Sequence, residues 1–186
     1  PLVTDIQAAR LVGSIAVQAD TNIASSFSWK TGDPDAAFAE AAVVVEKDYQ
    51  TQYQEHAYLE TEVAIASPTP DGGIEIWAPA QYPYRDIAQL SKILALSPAQ
   101  IHCHANPIGG GFGGKDDMAL QPLAAVAAWK LGKTVRLHLD REESFLYSTK
   151  RVPFTFHMKT AADREGHLLA HQVEAYGDVG PYTGIS

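Results

Sequence analysis

Hydrophobic positions along this chain alternate with a period of two in some segments and recur at helical spacing in others. The alternation over residues 101–105 predicts a strand. Apolar residues between 120 and 131 recur every three or four positions and predict a helix, which Gly132 would end. Between them lie residues 109–115, hereafter the glycine loop, in which five glycines surround one phenylalanine. The centre of the chain is therefore predicted to be a strand, a glycine loop and a helix.

The same patterns predict the remaining elements. They are a short helix over 34–42 with Asp33 as its N-cap, an extended segment over 43–66, a turn at 67–73 leading into a strand that ends near 78, a helix over 84–95, a strand over 135–139, and a strand around 154–158 that a turn at 163–166 joins to the last strand. Residues 1–30 show little periodicity and are predicted to be a linker or the tail of a preceding domain, followed by one domain over 31–186. The predicted fold class is α+β (mixed α/β), a mixed sheet with two main helices.

Composition and charge exclude several kinds of protein. The 186 residues are 46% hydrophobic, which is enough for a proper core. A net charge of -8 argues against nucleic-acid partners and anionic membrane surfaces. No apolar run approaches the ~18 residues of a membrane span. The single cysteine, Cys103, excludes an internal disulfide and an iron–sulfur cluster held by this chain alone, and is consistent with a reducing, cytoplasmic compartment.

The glycine loop carries the main candidate chemistry, because glycines let backbone N–H groups approach a ligand closely, and the dipole of the following helix would add to them. The loop fits a phosphate-binding P-loop, but Asp116 stands where the magnesium-binding Ser or Thr is needed. It also fits a dinucleotide fingerprint, but residues 106–108 separate the strand from the glycines. A nucleotide-binding module is the alternative function. A tight structural turn, or a non-catalytic domain that packs against partner subunits, also stays open.

Five short motifs then occur in an order that resembles the molybdenum hydroxylases, the xanthine dehydrogenase and aldehyde oxidase family. In chain order the motifs are residues 55–60, 80–83, 109–115, 140–143 and 177–182. The resemblance covers roughly Asp33 to the C-terminus, and it implies a fragment of the molybdopterin-binding large subunit in which 31–186 form the N-terminal part of the molybdopterin-binding domain. The sequence departs from the family at Ala80, where Thr is frequent, and at Pro181, where Ala is usual.

The resemblance also implies roles for particular residues. The glutamine that corresponds to Gln81 lies beside an oxygen ligand of molybdenum, and the backbone of Gly111, Phe112 and Gly113 passes close to the metal centre. Asp116 holds the position of an acid that contacts substrate in purine-oxidising members, although Asp is shorter than the usual Glu, which speaks against a purine. Capping of the following helix is the alternative role for Asp116. The catalytic base is expected outside this chain, and no residue of the chain is expected to ligate the metal.

Cofactors and partners follow from the same resemblance. The full-length protein is expected to be a cytoplasmic oxidoreductase with a molybdopterin-type molybdenum cofactor, and this fragment alone is expected to be inactive. Iron–sulfur clusters, with or without FAD, would lie on partner domains or subunits. The expected substrate is a small aldehyde or N-heterocycle, and the expected partners include the remainder of the molybdenum subunit but neither nucleic acid nor membrane.

Three further clusters receive structural interpretations. His102 and His104 share one face of a predicted strand and are interpreted as facing solvent or a partner, because no third metal ligand is nearby in sequence. His56 and Glu60 are predicted to form a hydrogen-bonded pair, as the alternative to a role near the cofactor. Residues 141–143, Arg-Glu-Glu, are predicted to form a surface or interdomain ion-pair cluster, and Cys103 is predicted to be a small core residue.

Overall fold

A computed structural model describes residues 6–11, 13–17 and 21–180, which fall into two compact units. The terminal unit contains the described residues up to Gln54 and those from Val152 onward, and the central unit is Glu55–Arg151. The helices are α1 (Ile6–Arg10), α2 (Pro34–Glu40), α3 (Pro83–Leu94), α4 (Gln121–Leu131) and α5 (Arg141–Tyr147). The strands are β1 (Val43–Gln50), β2 (Val63–Pro68), β3 (Ile74–Ala78), β4 (Ile101–Ala105), β5 (Val135–His138), β6 (Phe154–Ala162) and β7 (Leu168–Gly177).

The terminal unit is built on an antiparallel sheet of order β1-β6-β7, against which α2 packs through β7. The predicted start of α2 is confirmed, because the Asp33 carboxylate accepts a hydrogen bond from the N–H of Ala36 at 3.2 Å and Pro34 occupies the first helical position. The predicted turn between the last two strands is confirmed as well, since Asp163 accepts hydrogen bonds from the N–H groups of Glu165 and His167.

The central unit is built on a mixed sheet of order β4-β3-β2-β5, in which only β3 and β4 run parallel. Alternation in β2 and β3 turns one side of each strand toward α3 and α4, so the core forms between the sheet and these two helices. The fully buried core residues include Ala64, Ala66, Ile74, Ile76, Leu90, Ala124, Ala125 and Ala128. The predicted fold class, a mixed sheet with two main helices, is therefore confirmed, and its layout places the glycine loop between β4 and α4.

Several local predictions were incomplete. The extended segment predicted over 43–66 is two strands, β1 and β2, which belong to different units. Part of the segment predicted to be a linker forms α1, and α5 was not predicted. Gly132 ends α4 as predicted, with a φ of +63° and its N–H bonded to the Ala128 carbonyl at 2.9 Å. The boundary between residues 30 and 31 stays a prediction. Within the described ranges, no helix combines the length and the hydropathy needed to cross a membrane.

Candidate functional site

Gln81 anchors the glycine loop to the end of β3. Its Oε1 accepts hydrogen bonds from the backbone N–H groups of Gly113 at 3.3 Å and Lys115 at 3.2 Å. Its own backbone N–H donates to the Lys115 carbonyl at 3.2 Å. Two donors on Oε1 fix the orientation of the amide, and its Nε2 has no acceptor among the described residues. Gln81 therefore presents an uncharged N–H₂ donor of defined orientation.

Gly111 is the residue that makes room for this arrangement. A Cβ at Gly111 would lie 2.4 Å from Gln81 Oε1 and 3.0 Å from Gln81 Cδ. Both distances are shorter than a van der Waals contact, so a side chain at 111 and the observed position of Gln81 exclude each other. The structure thus brings together Gln81 and Gly111, two of the residues that the sequence singled out for the same site.

The loop has further unsatisfied donors at its tip. Within the described part of the chain, the N–H groups of Gly111 and Phe112 have no hydrogen-bond acceptor, whereas that of Gly113 is taken by Gln81. Phe112 is 76% exposed and has a φ of +51°, an uncommon backbone conformation for a residue with a side chain. The expected contribution of the helix dipole is not seen, because residues 115–120 separate the last glycine from Gln121, where α4 begins.

Lys115 is buried in an ion pair. Its Nζ lies 2.8 Å from Glu60 Oε2 and 4.7 Å from the centre of the Tyr58 ring, and its side chain is only 4% exposed. Burial raises the pKa of Glu60, but the hydrogen bonds from Lys115 and from the Gly109 N–H outweigh it and hold that pKa below its usual value. A lysine held in this way does not reach toward a phosphate, which argues against the P-loop interpretation.

The two acids that follow Lys115 have different surroundings. Asp116 Oδ1 is buried and has no hydrogen-bond partner among the described residues. Asp117 forms an ion pair with Arg85 at 3.0 Å. The helix-capping alternative for Asp116 is wrong, because Leu120 is the N-cap residue of α4 and no side chain caps that end. The predicted substrate contact of Asp116 stays a prediction.

Behind the loop lies a polar group of side chains that sequence reasoning did not assemble. Tyr58 is 1% exposed and its hydroxyl donates to Glu62, which is itself 4% exposed. Burial and the neighbouring Glu62 raise the pKa of Tyr58 above its ordinary value. The predicted pair of His56 with Glu60 is wrong, since Glu60 bonds Lys115 and the buried His56 Nδ1 has no partner among the described residues. No spacing signal identifies the contact between Glu60 and Lys115, because the two residues are 55 positions apart in sequence. Tyr58 and Glu62 are only four positions apart, but they lie outside any helix or strand, so no periodicity marks them.

Asp86 on α3 is a second buried acid that the sequence did not reveal. It is 3% exposed, and its Oδ2 accepts a hydrogen bond from Gln121 Nε2 at 3.3 Å. Burial raises the pKa of Asp86 to about 6, although the hydrogen bond from Gln121 and the charge of Arg85 act in the opposite direction. This contact joins α3 to the first turn of α4, and so supports the helix that follows the glycine loop.

The two histidines and the cysteine of β4 behave as the sequence indicated. His102 and His104 are exposed, and His104 stacks on Trp77 with ring centres 4.9 Å apart. No group of three potential ligands that could hold a metal occurs among the described residues. Cys103 packs against the core, and burial raises its thiol pKa to about 12.

The surface ion pairs predicted for residues 141–143 do not form among the described residues, and the interdomain alternative stays a prediction. Asp140 and Glu143 form a capping box at the start of α5, with the Glu143 N–H donating to Asp140 at 2.8 Å and the Asp140 N–H donating to Glu143 at 2.9 Å. The Arg141 guanidinium donates to the carbonyls of Tyr58 at 2.8 Å and Leu59 at 2.7 Å. The motif therefore ties α5 to the segment behind the glycine loop. Pro181, in the last motif, lies outside the described residues.

Comparison with known proteins matches residues 15–186 to the molybdopterin cofactor-binding domain. A probable xanthine dehydrogenase subunit from Bacillus subtilis is 39% identical over 166 residues, which cover 89% of this chain and 22% of that protein. The nicotinate dehydrogenase large molybdopterin subunit of Eubacterium barkeri is 36% identical over 170 residues, covering 91% of this chain and 40% of that subunit. Among solved structures, the aldehyde oxidoreductase of Desulfovibrio gigas superposes with a TM-score of 0.74 and 32% identity, over 80% of this chain and 16% of that one. The chain thus spans less than half the length of these relatives.

Proposed function

Because this chain belongs to the molybdopterin cofactor-binding domain family, we propose that its glycine loop and Gln81 form one side of a molybdenum-cofactor site. The site would belong to a longer hydroxylase of the xanthine dehydrogenase and aldehyde oxidase type. The proposal rests on one observation: the Gln81 side chain occupies the space that a Cβ at position 111 would need. The absent Cβ leaves room for a glutamine whose oxygen is fully engaged and whose nitrogen is not.

The donor set of the site fits such a cofactor. A molybdopterin cofactor is rich in oxygen acceptors, and the site offers the Nε2 of Gln81 and the free N–H groups of Gly111 and Phe112 as donors. These donors carry no formal charge, and the nearby charge of Lys115 is already balanced by Glu60. We expect the cofactor to be held by oriented dipoles on this side.

The residues of this chain would act mainly by holding groups in place. When bound, the molybdenum cofactor supplies the two-electron oxidation of a substrate carbon and the incorporation of oxygen from water. Gln81 donates through Nε2 to an acceptor of the cofactor, and its Oε1 bonds prevent the amide from rotating. The N–H groups of Gly111 and Phe112 donate from a backbone that needs no side-chain ordering. Asp116 contributes a carboxyl oxygen that the described residues leave without a partner, and we assign it a substrate contact.

The wider activity is part of the same proposal. The substrate would be a small aldehyde or N-heterocycle, and the catalytic base would come from another segment, so this chain alone would be inactive. Iron–sulfur clusters, with or without FAD, would lie on partner domains or subunits and take the electrons away, because Cys103 is the only thiol of this chain. We assign the protein to the cytoplasm, in keeping with that single thiol.

The test is the molybdenum and pterin content of the full-length protein, purified with its co-purifying subunits from molybdate-supplied cells. Wild type is expected to carry near-stoichiometric cofactor, and Gly111→Ala to lose most of it because Gln81 must move. Gly177→Ala is the matched control, since its Cβ would lie 2.8 Å from the Phe154 ring in the terminal unit. A wild type without molybdenum that binds ATP or NAD would contradict the proposal and favour the nucleotide-binding alternative. Equal cofactor loss in both variants would also count against it.

A further inference from the structure

Glu60 contacts both ends of the glycine loop, although it lies 49 residues before the loop begins. One carboxylate oxygen, Oε2, accepts the N–H of Gly109 at 2.9 Å and the ammonium group of Lys115 at 2.8 Å. The backbone N–H of Glu60 also donates to the Gly109 carbonyl at 3.1 Å. We propose that Glu60 is a positioning residue that sets the shape of the glycine loop, and through it the orientation of Gln81, for the cofactor.

The close approach of the two segments supports this role. A Cβ at Gly109 would lie 2.6 Å from the Cβ of Glu60, so the first residue of the loop packs directly against the Glu60 side chain. That segment is itself held by Arg141, whose guanidinium donates to the carbonyls of Tyr58 and Leu59. Glu60 therefore acts from a fixed support and not from a free surface position.

Because Lys115 is buried, its position depends on the ion pair with Glu60. A buried ammonium group without a partner is costly, so loss of the Glu60 charge would drive the lysine toward solvent. The backbone N–H and carbonyl of Lys115 are the groups that bond Gln81. Movement of Lys115 would consequently remove one of the two hydrogen bonds on Gln81 Oε1, leave only that from Gly113, and loosen the orientation of the amide. The effect of Glu60 is thus transmitted to Gln81 without Glu60 touching the cofactor.

The experiment compares full-length wild type, Glu60→Gln, Lys115→Met and the double variant. Glu60→Gln keeps the shape of the side chain and one acceptor oxygen while removing the charge. The matched control is Glu75→Gln, which changes a partly exposed carboxylate on β3 that lies 3.8 Å from the Nε2 of His104. Two quantities are measured: hydrogen exchange of peptides covering the glycine loop in cofactor-free protein, and the molybdenum EPR signal in the fraction of each protein that carries the metal.

We expect Glu60→Gln to speed exchange in the loop by roughly tenfold, while peptides of β6 and β7 and the Glu75→Gln control stay at the wild-type rate. Exchange in the loop of the double variant should be no faster than in the single variant with the larger effect, because both residues act through one contact. The EPR signal of the loaded fraction should change, whereas a role in stability alone would lower the loaded fraction and leave the signal as in wild type.

Wild-type exchange in the loop of whichever variant folds would overturn the proposal, and so would an EPR signal identical to that of wild type. Failure of both single variants to fold would also overturn it, since the pair would then support the whole unit and not the loop. The inference rests on the proposed function for its EPR readout only. A wild type without molybdenum refutes that function, whereas the exchange measurement judges the effect of Glu60 on the loop by itself.

Discussion

Alanine at position 111 should have opposite effects on stability depending on whether Gln81 is present. The added Cβ would lie 2.4 Å from Gln81 Oε1 and 3.0 Å from Cδ, and the third nearest atom is Gln81 Cγ at 3.5 Å. All other atoms are therefore at ordinary contact distance or beyond. Gly111→Ala in the wild-type background must displace the end of Gln81, whereas in a Gln81→Ala background it meets no close neighbour.

The magnitude follows from the contacts that are lost. Displacing Gln81 removes its hydrogen bonds from the N–H groups of Gly113 and Lys115, at about 1 kcal/mol each. Gly111 does not have a left-handed backbone, so alanine there restricts the unfolded chain and returns about 0.5 kcal/mol. We expect Gly111→Ala to destabilise the loop by roughly 1–2 kcal/mol in wild type, and to stabilise it by about 0.5 kcal/mol when Gln81 is alanine.

Native-state hydrogen exchange measures these stability changes directly, because it gives the opening free energy of amides in the central unit. The four full-length proteins to compare are wild type, Gly111→Ala, Gln81→Ala and the double variant. The predicted coupling between the two positions is about 2 kcal/mol. Gly177→Ala, which crowds Phe154 in the other unit, should show no coupling to Gln81→Ala. Equal destabilisation by Gly111→Ala in both backgrounds would refute the argument that Gln81 is the reason for glycine at this position.

Three other predictions concern the central unit around the loop. Asp86→Asn should raise stability at pH 8 by on the order of 2–3 kcal/mol, because the folded-state pKa of Asp86, about 6, lies above the ordinary 3.8. The stability of wild type should therefore fall as the pH rises from about 4 to 6 and stay reduced above pH 6. Denaturant titrations of both proteins at pH 4 and 8 would check this, and the same pH dependence in the variant as in wild type would contradict it. Asp140→Ala should cost about 1 kcal/mol through loss of the capping box of α5, whereas exposed Glu142→Ala should cost little, as measured by thermal unfolding. The Cys103 thiol should react with an alkylating reagent at pH 8 at least tenfold more slowly, roughly, in the folded protein than in the unfolded protein, because burial raises its pKa. Equal rates would show that the thiol is not buried.

The sequence was sufficient for elements whose signals are local. The start of α2 at Asp33 and Pro34, the end of α4 at Gly132 and the alternation in β4 each depend on neighbouring residues, and each is confirmed. The short helix α5 was missed because the charges of Arg141, Glu142 and Glu143 suggested a solvated cluster. Its actual signal is the spacing of Asp140 and Glu143, a capping box that is visible in sequence once it is sought.

The site was only partly accessible from sequence, and for a physical reason. Gly111 and Gln81 could be named from motifs, but nothing in their separation indicates that one fills the space left by the other. The same holds for Glu60 and Lys115, whose charges could equally have faced solvent. For Asp116, the structure shows that the side chain does not cap α4. Its contact with substrate stays a prediction, which rests on an Oδ1 that the described residues leave without a partner.

An experimental structure of the full-length protein, purified with its cofactor, tests the central claim most directly. Our account predicts molybdopterin density beside Gly111 and Phe112, with Gln81 Nε2 within hydrogen-bond distance of the cofactor, about 3 Å. It also predicts that Gln81 Oε1 remains on the N–H groups of Gly113 and Lys115. Cofactor density elsewhere in the molecule, with the glycine loop packed against protein alone or against a nucleotide phosphate, would contradict the account.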